Sequence, residues 1–86
     1  MYLINMDYKQ IIETTKKMLS EEFEIEIDEI KPENNFHQIL NLDSLDYVDL
    51  VVIVSENFGV VLNADDIKKI QTFNDFYTCI ENKKYE

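Results

Sequence analysis

Asp43-Ser44-Leu45-Asp46-Tyr47-Val48-Asp49-Leu50-Val51-Val52-Ile53-Val54-Ser55-Glu56-Asn57-Phe58-Gly59 is the stretch on which the fold turns. Its middle, Tyr47 to Val54, is rich in Val, and β-propensity alone makes it a buried strand. The flanks oppose that reading. Asp43 and Ser44 are both good N-cap residues, Asp46 stands near the positive end of a helix dipole, and Gly59 lies where a left-handed C-terminal cap belongs. The interval between these signals suits a helix and overshoots a typical strand of about 5–6 residues. The pattern predicts a helix from about Ser44 to Phe58.

At about 100° per residue, Tyr47, Leu50, Val51, Val54 and Phe58 cluster on one side of that helix as an ordinary core stripe. The opposite side is unusual. Leu45, Val48, Val52 and Ile53 fall there among Asp46, Asp49 and Glu56, whereas a helix with one buried face should carry polar residues there. Ile53 suits either the bundle or the outer face. For Leu45, Val48 and Val52 a partner surface is the better reading, because apolar groups ringed by carboxylates offer contact area together with charge steering. Ser44 opens the helix. As a bare serine it is a capping residue, but the same position has unpaired amides and a positive dipole end, where a phosphoester on the hydroxyl is best tolerated.

On the N-terminal side, Tyr8, Ile11, Ile12, Thr15, Met18 and Leu19 recur at three- and four-residue spacing, and Asp7 with Gln10 forms a capping pair, so a first helix is expected from Asp7 to Glu21. Residues 22–28 then alternate apolar and acidic, the local signature of a half-buried strand. A lone strand would leave its backbone groups unpaired, so an extended loop pinned by Phe23, Ile25 and Ile30 is preferred, continuing through Lys31 to Asn35 with Phe36 and Leu40 as its return anchors. On the C-terminal side, Asn63 and Asp66 cap a short helix through Ile70. Thr72 and Asp75 cap a last one carrying Phe73, Phe76, Tyr77 and Ile80. The expected fold is all-α: a small four-helix bundle of three main helices and one short one, with a long loop after the first.

Composition agrees. Eighty-six residues allow one small domain spanning 1–86, and Gly 1 with Pro 1 are too few turn-formers for a sandwich or barrel. Acidic residues number 18 against 8 Lys, for a net charge of −10, which makes nucleic acid and anionic membrane poor partners. Residues 21–66 hold thirteen acids against Lys31 alone, so the middle of the chain owns the acidity. No apolar run approaches a bilayer span, and Met1 to Gln10 lacks the charged start and apolar middle of a signal peptide. The lone Cys79 excludes an internal disulfide. A soluble, cytoplasmic, monomeric protein is expected.

The run Leu40-Asn41-Leu42-Asp43-Ser44-Leu45, followed by Asp46-Tyr47-Val48-Asp49-Leu50-Val51, closely resembles the acyl carrier protein family. The likeness extends from about Ile11 to Ile80 and includes Phe36, Leu40, Phe58, Ile67 and Thr72-Phe73. The resemblance implies a four-helix carrier whose Ser44 receives phosphopantetheine from coenzyme A through a phosphopantetheinyl transferase, releasing 3′,5′-ADP. It also implies a thiol that holds acyl intermediates as thioesters, fatty acid synthesis as the pathway, and docking of acyl-transfer and synthase enzymes through basic surfaces. Carried over by position, Ser44 is the attachment site, while Asp43, Leu45, Asp46, Val48, Asp49, Val52 and Glu56 match recognition positions. The carrier itself catalyses nothing. Asn41 stands where the family usually has Gly; Asn is the next most tolerant residue of a left-handed backbone. Asn63 replaces a frequent Pro, and Ser55 and Asn57 occupy positions often acidic in fatty-acid carriers.

Other readings compete. A dedicated carrier for a polyketide, nonribosomal peptide, D-alanine or another specialised pathway shares every feature above. A hydrolytic triad of Ser44, His37 and an Asp is disfavoured, since Gly-x-Ser-x-Gly is absent and so small a bundle offers little pocket. His37 is expected in the long loop as a surface or packing residue. Asp43, Asp46 and Asp49 fail the spacing of a calcium loop, so no metal site is expected. An acidic helical adaptor that is never modified differs only in the chemistry at Ser44.

Overall fold

Residues 7–84 are described by a computed structural model. Five helices follow one another: α1 (Tyr8–Phe23), α2 (Phe36–Leu40), α3 (Ser44–Phe58), α4 (Ala64–Lys69) and α5 (Phe73–Lys84), with a 3-10 turn at Ile27–Glu29 between the first two. The described residues hold no strand beyond an isolated antiparallel bridge between Asn35 and Thr72.

Side chains close each helix start. Asp7 with Gln10, Asp43 with Asp46 and Asn63 with Asp66 form reciprocal capping boxes on α1, α3 and α4, so orphan amides that water would otherwise hold are met within the chain. Before α5, the Thr72 hydroxyl accepts from the Asp75 amide at 3.1 Å, and one Asp75 oxygen accepts from the Gln71 and Thr72 amides at 3.0 and 3.1 Å. Three helices end on a left-handed residue: Glu24 after α1 (φ 55°), Asn41 after α2 (φ 48°) and Gly59 after α3 (φ 67°). Asn41 therefore makes a left-handed turn of the kind that Gly most often makes.

The structure corrects the sequence reading in two places. There are five helices where four were expected, because Phe36–Leu40, read as the end of a loop, is itself helical. Asn35 caps it by accepting from the Gln38 amide at 2.9 Å, and five residues are too few for periodicity to register. The first helix also runs on to Phe23, taking in the start of the strand-like alternation. The rest of that alternation is loop and 3-10 turn, as the lack of a partner strand required.

The core lies where α1 packs against α3 and α5. Ile11, Leu19, Leu50, Val54, Phe73 and Ile80 are fully buried in it. Phe36 and Leu40, the expected anchors, are both buried, and the Phe36 ring lies 5.1 Å from Phe76 in a stacked arrangement and 5.3 Å from Phe73 edge-on. Two backbone bonds fix this return: Phe36 N–H donates to the Gln71 carbonyl at 2.8 Å, and Phe73 N–H to Asn34 at 3.2 Å. Tyr77 and Thr15 are sealed in the core with hydroxyls that meet no partner among the described residues. Burial, with the Tyr8 phenol adding to it, pushes the Tyr77 hydroxyl up to about 12.

Candidate functional site

The capping box decides the character of Ser44. Asp46 N–H donates to Asp43 Oδ1 at 2.9 Å, and Asp43 N–H donates back to Asp46 Oδ2 at 3.3 Å. Asp43, not Ser44, is thus the cap, and Ser44 occupies the first helical position. Freed of that task, the Ser44 side chain is exposed and makes no hydrogen bond among the described residues. The Ser44 and Leu45 amides are likewise left without an acceptor among the described residues, at the positive end of a 15-residue helix. An outward hydroxyl beside two unmet amides can carry a phosphodiester without disturbing the fold, so the residues present fit a phosphopantetheine group.

Downstream, α3 presents two faces as its pattern predicted. Leu50 and Val54 are fully buried and Phe58 nearly so, with Tyr47 and Val51 half-buried beside them. On the far side Leu45 is 75% exposed, Val48 60% and Val52 48%. Asp49 and Glu56 are exposed between them, while Asp46 is half-buried in its capping box. The seven residues expected at a docking surface thus run from Asp43 to Glu56 along one helix that begins at Ser44. Ile53, which the pattern left open, is half-buried against the core. Ile27 and Val61 are also exposed apolar residues, outside the expected set. They lie in connecting segments, where no periodic face marks them.

The sequence reading missed the way α3 is held. His37 is on α2 rather than in a loop, half-buried, with Nδ1 at 2.6 Å from the Tyr47 hydroxyl and Nε2 at 2.8 Å from the Ile70 carbonyl. A carbonyl can only accept, so Nε2 carries the proton and Nδ1 accepts from Tyr47. Burial raises the Tyr47 hydroxyl above its ordinary range, which keeps it a donor. One imidazole therefore joins α2, α3 and the end of α4, three turns that sequence spacing does not connect. Both ring nitrogens are engaged, so His37 does not serve Ser44 as a base.

The C-terminal end of α3 is held by Lys84, whose Nζ donates to the Phe58 carbonyl at 3.1 Å and opposes the negative end of the helix dipole. Lys83 pairs with Asp66 at 2.8 Å across α5 and α4. Burial pushes the Asp66 carboxyl up, but the Asn63 amide and the Lys83 ammonium, with Lys69 nearby, outweigh it and hold the group below its ordinary value. Among the described residues no group of His, Cys, Asp and Glu is arranged to hold a metal ion, and no helix is long and apolar enough to cross a membrane. Cys79 lies half-buried on α5, as its place at the edge of the apolar face suggested.

Comparison with known proteins finds relatives along most of the chain. Residues 13–80 match the family model described as a phosphopantetheine attachment site. The chain is 32% identical over 78 residues to the acyl carrier protein of Thermosynechococcus vestitus, covering 91% of this chain and 96% of that protein. It is 36% identical over 72 residues to the acyl carrier protein of Helicobacter hepaticus, covering 84% and 95%. The acyl carrier protein of Nitratidesulfovibrio vulgaris is 35% identical over the same length and shares.

Proposed function

The chain belongs to the acyl carrier protein family, and on that premise we propose that Ser44 is the residue that carries its phosphopantetheine and that the outer face of α3 is where partner enzymes dock. The observation that carries the proposal is the division of labour at the helix start: Asp43 and Asp46 cap α3, so Ser44 is exposed with an unengaged hydroxyl. In the attachment step a phosphopantetheinyl transferase joins Ser44 Oγ to the pantetheine-bearing phosphorus of coenzyme A. The Oγ proton leaves, the pyrophosphate bond breaks, and 3′,5′-ADP departs. Once attached, the group supplies a thiol that holds acyl chains as thioesters.

The residues of the chain supply presentation rather than catalysis. Ser44 sits at the capped start of α3, the unmet amides of Ser44 and Leu45 would be available to the phosphodiester, and Leu45, Val48 and Val52 offer apolar contact among Asp43, Asp46, Asp49 and Glu56. A partner with a basic surface is drawn by the net charge of −10, and the tether then raises the local concentration of the acyl group at its active site. The protein acts as a single carrier domain over residues 1–86, in the cytoplasm, with fatty acid synthesis as the expected pathway. The acyl group bound to the protein purified from its own cells separates that pathway from polyketide, nonribosomal peptide or D-alanine transfer.

Incubation with coenzyme A and a broad-specificity phosphopantetheinyl transferase is expected to add one phosphopantetheine to the wild type and none to Ser44→Ala, read by intact mass. An unchanged wild-type mass, under conditions that modify a control carrier, would overturn the assignment.

A further inference from the structure

We infer that the partner footprint does not end on α3 but turns into the groove between α3 and α1, where an Arg or Lys of the docking enzyme lies with its head between Glu56 and the Glu21–Glu22 pair. This inference rests on the reading of α3 as the docking helix. The groove is an open cleft of about 500 Å³ walled by Lys17, Glu21 and Glu22 from α1 and by Ile53, Glu56 and Asn57 from α3. Val52 and Ile53 lie three and four residues after Asp49, and Glu56 lies four and three residues after them, so the exposed stripe that begins at Leu45 runs directly into this wall.

Charge selects the occupant. Three carboxylates line the groove against one ammonium. Among the described residues the only ion pair joins Lys83 to Asp66, so Glu21, Glu22 and Glu56 are unneutralised although Lys17 shares their groove. A second copy of the chain would set a net charge of −10 against −10, and an anionic membrane is repelled for the same reason. A protein surface bearing a long cationic side chain meets both halves of the groove. Its methylene stem covers half-buried Ile53 and buried Met18, and its head remains in water among the carboxylates. Lys17 sets polarity, because it disfavours a cation at its own position and directs the head toward Glu21, Glu22 and Glu56.

The test compares two charge-reversed variants of equal net charge. Glu21→Lys with Glu22→Lys alters the groove, whereas Glu13→Lys with Glu33→Lys alters two exposed residues that do not line it. A broad-specificity phosphopantetheinyl transferase is the probe. Its apparent affinity for the apo chain is read by titration, alongside thermal melts of each variant. The groove variant is expected to bind about tenfold more weakly than the wild type, and the control variant within about threefold, since only the first meets a partner charge at contact distance. In the labelled wild type, amide resonances of residues 17–22 are expected to shift on titration together with those of α3. Equal losses in the two folded variants, or shifts confined to α3, would overturn the inference while leaving Ser44 as the attachment site. Failure of the wild type to gain phosphopantetheine would instead overturn the parent reading.

Discussion

Ser44 and Tyr77 each carry a hydroxyl that meets no partner among the described residues, and the two sit in opposite surroundings. That of Ser44 stands in water at the start of α3; that of Tyr77 is sealed against α1 in the core. In water an unengaged hydroxyl costs nothing, because solvent meets it, and it stays available to a modifying enzyme. In the core the same vacancy costs about 1–3 kcal/mol of desolvation that no bond returns. The contrast separates presentation from stability. The capping box removes a structural duty from Ser44 at the surface, whereas the α1–α5 interface takes in the bulk of Tyr77 despite its polar end.

The sharpest way to break the comparison is to truncate one leucine on each side of α3. Leu50→Ala is expected to lower unfolding stability by about 2–5 kcal/mol, since a fully buried side chain leaves a cavity. Leu45→Ala, 75% exposed, is expected to shift it by no more than about 0.5 kcal/mol while weakening partner docking. Similar losses in denaturant melts of the two variants would erase the two-faced description.

Replacing Tyr77 with Phe removes the orphan hydroxyl and is expected to stabilise the protein by about 1 kcal/mol. The pH dependence sharpens the point. The folded value, pushed up to about 12, lies above the unfolded value near 10, so the native state stays protonated while the unfolded chain ionises. The contribution of Tyr77 is therefore complete below about pH 10 and lost as pH rises from there toward 12. Tyr77→Phe is expected to gain on the wild type across that window, in melts at stepped pH; a constant difference would mean the hydroxyl is not buried in solution.

The smallest effect concerns an oxygen whose partners are all present. The Thr72 and Gln71 amides, bonded to Asp75, hold its carboxyl below the ordinary value although burial opposes them. A depressed folded value gives stability that is present above the unfolded value near 3.9 and is lost as pH falls through the folded one. The stability gap between wild type and Asp75→Asn is expected to be open at pH 6 and to close as pH falls below about 4. A gap unaffected by acid would show that the amide cap replaces the carboxylate in full.

Much of this was legible in the sequence, and the reason is locality. The bounds of α3, its two faces and the left-handed turns at Asn41 and Gly59 depend on residues within a few positions of one another, as do the caps of α1, α4 and α5. Asp43 and Ser44 looked equally able to cap, and only the reciprocal bond to Asp46 distinguishes them. The Asn35–Gln38 pair is the one local signal of α2, a cap ahead of a helix too short to show a period. The tie from His37 to Tyr47 and Ile70 had no signal at all, because it joins three segments whose spacing encodes nothing about their meeting. The groove between α1 and α3 was hidden for the same reason: Glu21 marked the end of the first helix and Glu56 belonged to the outer face of α3, and no spacing places the two together.

The pairing of Asn34 and Phe36 with Gln71 and Phe73 also bears on how the chain is made. Because the start of α2 is sewn to the start of α5, a nascent chain emerging from the ribosome can wind α3 early but cannot seat the segment beneath it until the last helix has begun to appear. Ser44 would thus be displayed before its platform is rigid, and an enzyme that reads the assembled platform, rather than the serine alone, would pass over half-made copies.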